Sequence, residues 1–288
     1  MTLNPAMPLR FFPPPPALRQ QVQAIWCLDT RSGKSDQPGE PAFMHPDGGT
    51  GFVLHLGRPL PPRVPGEQPP VWLGWEGVQS VSGRLALDAG WLSYGVRFHP
   101  GGARRFWQGM PMQQTSTDAL ETLHGSALWQ LRQRLGEARD IQAGLQCLAD
   151  WLMRQMQVTT TDGGMHRDAS FAVTQKTLDA VLVAVSQAES VARAASDMHL
   201  SRRALERRFA DQVGVSPKQY ARIQRIALAR DLLKRGVSRQ QAELAQRLGY
   251  FDEAHFIRDF RAMVGITPGQ YARRQSPFPF SVPVVAAT

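Results

Sequence analysis

Nine residues are written twice in this chain, as GVSPKQYAR at 214–222 and GITPGQYAR at 265–273, 51 positions apart. A phrase this short buries no core by itself, so its meaning lies in what repeats around it. The same offset sets Ala194 on Ala245, Leu205 on Phe256, Arg207 on Arg258, Phe209 on Phe260, Pro217 on Pro268 and Tyr220 on Tyr271. Leu205 with Phe209, and Phe256 with Phe260, are i,i+4 pairs that share one helical face. Gly214 and Gly265 follow those helices where a left-handed C-terminal residue is expected. Ser216 before Pro217, and Thr267 before Pro268, then open a new helix with a capping hydroxyl and a proline that has no N–H to leave unsatisfied. Each copy therefore predicts a short helix, a turn, a second helix, a glycine and a capped third helix, which is a helix-turn-helix unit made twice.

The helix opened by Ser216 is expected to run to about Lys234, with Gly236 ending it and Ser238 with Gln241 forming a capping box for the next. A straight helix of that length spans about 27 Å, close to the roughly 34 Å between successive major grooves on one face of B-DNA. Two reading helices on one chain would then reach two adjacent grooves. In SRRALERRFADQ the inward pair leaves Arg202, Arg203, Glu206, Arg207 and Ala210 outside; in DEAHFIRDFRAM the corresponding set is Glu253, Ala254, Ile257, Arg258 and Arg261. An arginine fork bonds guanine O6 and N7 together, and a small or apolar side chain meets a thymine methyl. Glu253 and Ile257 supply no such fork, so the second unit is expected to lean more on phosphate contact.

Charge agrees with this placement. The chain carries a formal +9, yet residues 171–288 hold 18 Lys+Arg against 10 Asp+Glu, leaving 15 against 14 for residues 1–170. A field concentrated in the last third attracts polyanions, and double-stranded DNA is the first partner it implies. With these residues in view, LAQRLGYFDEAHFIRDFRAMVGITPGQYARR and VARAASDMHLSRRALERRFADQVGVSPKQYARIQRIALARDLL resemble the signature of the AraC/XylS family of bacterial transcription regulators over about residues 173–274. By position, the resemblance places the base-reading residues on Arg203, Glu206 and Arg207 in the first unit and on Glu253, Ala254, Ile257 and Arg258 in the second. It implies a regulator whose promoter binding is altered by the N-terminal half, RNA polymerase being a partner if it activates.

The N-terminal half is of another kind. From about residue 17 to 100, short apolar runs (VQAIWCLD, GFVLHLG, VSGRLALD, WLSYGVRFH) alternate with Pro- and Gly-rich stretches such as RPLPPRVPGEQPP, the punctuation of a β-sandwich or barrel. Period two places Leu92, Tyr94, Val96 and Phe98 on one face and Trp91, Ser93, Arg97 and His99 on the other. Leu120, Leu123, Leu128, Leu131 and Leu135, then Ile141, Leu145, Leu148, Leu152 and Met156, mark two helices at 117–157, which either cover the sheet or present leucine stripes to a second copy of the chain. FMHPDGGTGFVLHLG and SYGVRFHPGGARRF resemble, more weakly, the β-rich sensory domain that precedes such DNA-binding modules. Trp72, Trp75, Trp91, Tyr94, Arg97 and His99 are the candidates to line a pocket for a small-molecule effector, plain core being the alternative for each.

The expected organisation is multidomain α+β. A β-rich domain ending in the helical pair covers 1–157, a linker 158–170, an all-α double helix-turn-helix domain joined by a long helix 171–274, and a tail 275–288. Cys27 and Cys147 are too few for a disulfide framework, and the N-terminus lacks the apolar core of a signal peptide, so the expected setting is the cytoplasm, away from membranes. RSGKSD ends like a phosphate loop but has Leu28 where the first glycine is required. His45, His55 and His99 lie on strand-like segments without the closely spaced pair and downstream carboxylate of a metal-dependent β-barrel enzyme. No cofactor, metal or catalytic residue is therefore expected; a ligand-independent DNA binder and a metal- or ligand-processing domain fused to a DNA-binding module are the competing classes.

Overall fold

The computed structural model describes residues 9–31, 42–56, 72–85, 90–107, 110, 112–113, 118–161, 173–181, 195–196, 198–236 and 241–273. By its contacts the chain forms two compact units: Met1–Glu40, Gly49–Gly77 and Leu87–Phe171 make the first, and Pro41–Gly48, Val78–Ala86 and Ala172–Thr288 the second. The sequence reading keeps 1–157 together. In the structure two of its segments, 41–48 and 78–86, count with the second unit.

The first unit is built on a five-stranded antiparallel sheet in the order β1-β2-β7-β4-β5, with β1 at Leu9–Phe12, β2 at Val22–Asp29, β4 at Thr50–His55, β5 at Leu73–Glu76 and β7 at Leu92–Phe98. β2, β4 and β7 fall on three of the four apolar runs. The period-two faces of β7 are as the sequence implies: Tyr94, Val96 and Phe98 join Ile25, Cys27, Phe52, Leu54 and Trp75 in one buried cluster. Two helices, α1 at Asp118–Gly136 and α2 at Ile141–Thr161, add Leu128, Leu131, Leu135, Leu145, Leu148 and Leu152 to that same cluster. Their leucines thus cover the sheet, the first of the two roles left open. A β-sheet is stable in water only when its apolar face is taken up in this way. Trp107 sits at the centre, 5.3 Å from the Phe52 ring and 5.9 Å from Trp75. α2 continues to Thr161, four residues into the stretch expected to be linker; 162–170 lie outside the described residues.

Among the described residues the second unit is helical, with one strand pair. Residues 173–181 form α3, followed by α4 at Arg202–Gln212, α5 at Pro217–Lys234, α6 at Gln241–Arg247, α7 at Glu253–Val264 and α8 at Pro268–Arg273. β3 at Ala42–Met44 pairs antiparallel with β6 at Gly83–Leu85 as a two-stranded ribbon. Leu178, Val181, Leu205, Phe209, Val213 and Tyr220 pack as one cluster, and Ile223, Ile226, Leu244, Phe256, Phe260, Met263 and Tyr271 as another. α5 runs between the two clusters and contributes to both. Ser238, assigned to a capping box, lies outside the described residues; a box of that kind is seen at Thr267, whose N–H donates to Gln270 Oε1 (2.9 Å) while Gln270 N–H donates to Thr267 Oγ1 (3.3 Å).

Candidate nucleic-acid interface

The helix expected to read DNA in the first unit is α4. Ser201 caps it, its hydroxyl oxygen accepting from Ala204 N–H at 3.2 Å. At the other end the N–H groups of Val213 and Gly214 both donate to Phe209 O at 2.9 Å, and Gly214 takes φ +93°, so the chain turns out of the helix and straight into the Ser216 cap of α5. Leu205 and Phe209 are 1 % exposed, Phe209 lying 5.6 Å from Tyr220. Anchoring that face turns Arg202, Arg203, Glu206, Arg207 and Ala210 to the solvent, as the i,i+4 argument requires. Arg202 and Glu206 then engage each other at 2.9 Å. Neither Arg203 nor Arg207 has a hydrogen-bond or ion-pair partner among the described residues.

Its counterpart in the second unit is α7. Asp252 caps it, accepting from His255 N–H at 2.6 Å, and Gly265 at φ +89° closes it through an N–H donated to Arg261 O at 2.9 Å. Phe256 and Phe260 are fully buried, and the chain of aromatic contacts runs Tyr250, Phe256, Phe260, Tyr271 at 5.4 to 5.8 Å. Glu253, Ala254, Arg258 and Arg261 are exposed. Ile257 is not: it is half-buried against the core. Arg258 turns its Nε back to Ala254 O at 3.3 Å.

The two turns differ by one residue. Leu200 N–H donates to Ala195 O and Tyr250 N–H to Ala245 O, while His199 (φ +53°) and Gly249 (φ +73°) hold the left-handed position. In the turn the offset is therefore 50, which sets Ala195, rather than Ala194, opposite Ala245; Ala194 itself lies outside the described residues. Past the turn it is 51, from Ser201 to Asp252. The extra residue is Phe251, 95 % exposed.

A brace that sequence reasoning missed joins α7 to α5. Asp259 accepts from Arg222 Nε at 2.5 Å and from Tyr250 hydroxyl at 2.7 Å, and the Arg225 guanidinium lies 5.8 Å over the Tyr250 ring. Burial and the Asp259 carboxylate push the Tyr250 hydroxyl well above the usual phenol range, so it stays a donor. Asp259 and Arg222 are far apart in sequence, and only the fold brings them together.

Residues 194–274 match the family model of a helix-turn-helix domain, and residues 10–121 that of a domain of unknown function (DUF6597). Residues 194–274 are thus an AraC-type helix-turn-helix domain. Among solved structures, the chain is similar to a transcriptional regulator with an AraC-type DNA-binding domain from Chromobacterium violaceum, with 28% identity over 37% of this chain and 99% of that one, TM-score 0.33. It is also similar to ToxT from Vibrio cholerae, with 12% identity over 86% of this chain and 96% of that one, TM-score 0.40. No curated protein matches it.

The six effector candidates of the N-terminal half do not converge. Trp75 and Tyr94 lie on the helix-covered face, inside the core. Trp91 and Arg97 lie on the opposite face by the period of β7. Trp72 packs edge-on against Trp129 of α1 at 5.2 Å, with Arg132 over both rings, and His99 is half-buried just past the end of β7. Beside Trp91 the structure adds two residues outside that candidate set: Ser93, and His55, whose ring lies 6.5 Å from that of Trp91 and whose Nδ1 is 2.8 Å from Ser93 Oγ, while its Nε2 is buried without a hydrogen-bond partner among the described residues. Burial and the charge of Arg132 lower the His55 pKa to about 4 and keep the ring neutral. His45 belongs to the second unit, and His55 and His99 to the first; among the described residues no group of three His, Cys, Asp or Glu side chains is placed to hold a metal ion.

Proposed function

We propose that this DNA-binding transcription regulator reads its promoter through α4, with Arg203 and Arg207 forking onto base edges and Arg202 and Glu206 fixing one another beside them. The observation that carries this is the contrast on one helix between Leu205 and Phe209, buried to 1 %, and two exposed arginines without a partner among the described residues. A desolvated base edge is the partner that rewards such a guanidinium. α7 offers Glu253, Ala254, Ile257 and Arg258, a set poor in forks, and works mainly on the phosphate backbone.

The N-terminal unit supplies regulation. A small-molecule effector presenting a polar group to the buried Nε2 of His55, beside Ser93 and Trp91, is the chemistry that unit accommodates. The setting is the cytoplasm.

The test is enrichment of duplexes from a randomised pool by the full chain, followed by footprinting at stated salt. Two protected patches about one helical turn apart are expected, with a common sequence in at least one of them. Uniform recovery of all sequences would sink base readout.

A further inference from the structure

The two-stranded ribbon is the one part of the second unit drawn from the N-terminal half of the sequence, and it sits on the machinery that aims α7. Helices end with carbonyls that have no donor of their own. At the end of α7 the Met263 carbonyl is such a group, and Ser82, beside β6, meets it twice: its N–H donates at 2.7 Å and its hydroxyl at 2.9 Å. His45, beside β3, places Nδ1 2.6 Å from Ser82 Oγ. Because the single hydroxyl proton of Ser82 goes to Met263, His45 must be the donor, which fixes its tautomer. The imidazole also stands edge-on to Tyr271 at 5.6 Å, and Val78 enters the cluster of Phe256, Phe260 and Met263.

The other end of the same segment holds α5. Gln224 Nε2 donates to Asp47 O at 2.8 Å, and Gly48, at φ +82°, lies so close to the Tyr220 ring that a Cβ there would come within 2.8 Å of it. α5 is the spacer between the two reading helices. The ribbon thus touches the spacer on one side and the second reader's last turn on the other. Its two strands continue directly, at Gly48–Gly49 and Gly77–Val78, into β4 and β5, which are neighbours in the five-stranded sheet.

We propose that the ribbon of residues 41–48 and 78–86 is a clamp supplied by the N-terminal half of the sequence that positions the second reading helix, with Ser82 as its positioning residue. The inference rests on α7 engaging DNA as proposed above. It places the point of regulatory coupling on the second unit of the repeat, since a change carried along β4 and β5 reaches Ser82 before it reaches α4. It also means that residues 171–288 alone lack a part of the module.

The test uses the full chain as wild type, Ser82→Ala, Ser82→Thr and Gly48→Ala. Two readouts are taken: amide hydrogen exchange, and footprints on a duplex that the wild type selects from a randomised pool. In Ser82→Ala, exchange across 253–265 should rise on the order of tenfold while 202–212 is unchanged, because a helix end opens more readily once its last carbonyls lose a donor. Protection should weaken over one of the two patches only, and Ser82→Thr, which keeps the hydroxyl, should restore both readouts. Gly48→Ala, acting through Tyr220 instead, should loosen α5. Unchanged exchange in α7, or equal loosening of α4 and α7, overturns the clamp. If exchange behaves as expected but the wild type selects no common duplex, the clamp stands as structure and it is the DNA reading that fails.

Discussion

The two helix-turn-helix units share their buried positions and differ in almost everything else. Leu205, Phe209 and Tyr220 in the first are matched by Phe256, Phe260 and Tyr271 in the second, all buried. Outside, α4 presents Arg203 and Arg207 without partners among the described residues, whereas α7 has Ile257 half-buried, Arg258 folded back on Ala254 and Asp259 tied to Arg222 and Tyr250. The first unit is open towards a ligand; the second is braced within the protein. The two copies keep a common core because packing tolerates little change, and they diverge on the outer face.

The largest effect is expected in the shared core. Phe209→Ala and Phe256→Ala each remove a buried ring and should cost about 3–5 kcal/mol of stability. The comparison predicts unequal consequences. Phe256 belongs to the larger cluster with α5, α6, α8 and Val78 of the ribbon segment, so its loss should loosen the second unit and the ribbon together, while Phe209→Ala should loosen α3 to α5. Hydrogen exchange resolved by segment separates the two; identical patterns would show that the units do not pack independently.

Next in size is the reading itself. Arg207→Ala should lose about 1–3 kcal/mol of binding to the selected duplex and relax preference at one base pair, with thermal stability unchanged because the side chain is exposed. Arg258→Ala, at the equivalent position, should lose less and do so evenly across sequences. Competition binding against duplexes changed one base pair at a time measures both. Equal, sequence-independent losses for the two arginines would erase the division of labour between the units.

How much of this was legible beforehand follows from where the information sits. Helix limits at Pro217 and Lys234, the left-handed glycines 214 and 265 and the exposed arginines of α4 all follow from local spacing and capping chemistry, which a single sequence carries. Ile257 was misplaced because a helical wheel has no neighbour to lean against, and its flank is decided by packing. The brace on Asp259 and the capping of Met263 by Ser82 were out of reach for a stronger reason: they join residues 37 and 181 positions apart, and nothing local marks either end. The same holds for the strand pair β3–β6. β6 lies within the VSGRLALD run that reads as a strand, but β3 at Ala42–Met44 carries too little periodicity to announce itself, and the pair's allegiance to the second unit is a tertiary fact. The effector candidates failed to gather because an aromatic on a strand signals burial without saying which face is buried.

The smallest expected effect is a pH dependence that the two units should not share. His45 is half-buried within the second unit, and that burial, with Arg230 and Lys234 nearby, lowers its pKa to about 3 from an ordinary value near 6.5. In the folded chain it therefore stays neutral and keeps donating to Ser82, whereas in the unfolded chain it takes up a proton below about pH 6.5. The unfolded state then binds more protons, so stability contributed by His45 is complete above that pH and is lost as pH falls towards 3, by up to about 1.4 kcal/mol per pH unit. His55, lowered to about 4 by burial and Arg132, and His124, lowered by burial, impose the same direction on the first compact unit. Exchange measured by segment between pH 7.5 and 5 isolates the His45 contribution. The amides of α7 should open progressively on acidification and those of α4 less so, and His45→Asn, which keeps a donor near Ser82 without the titration, should flatten the α7 response. A response of α4 equal to that of α7 would mean that protonation acts on the unit as a whole, and the clamp would lose its claim to hold the second reader alone.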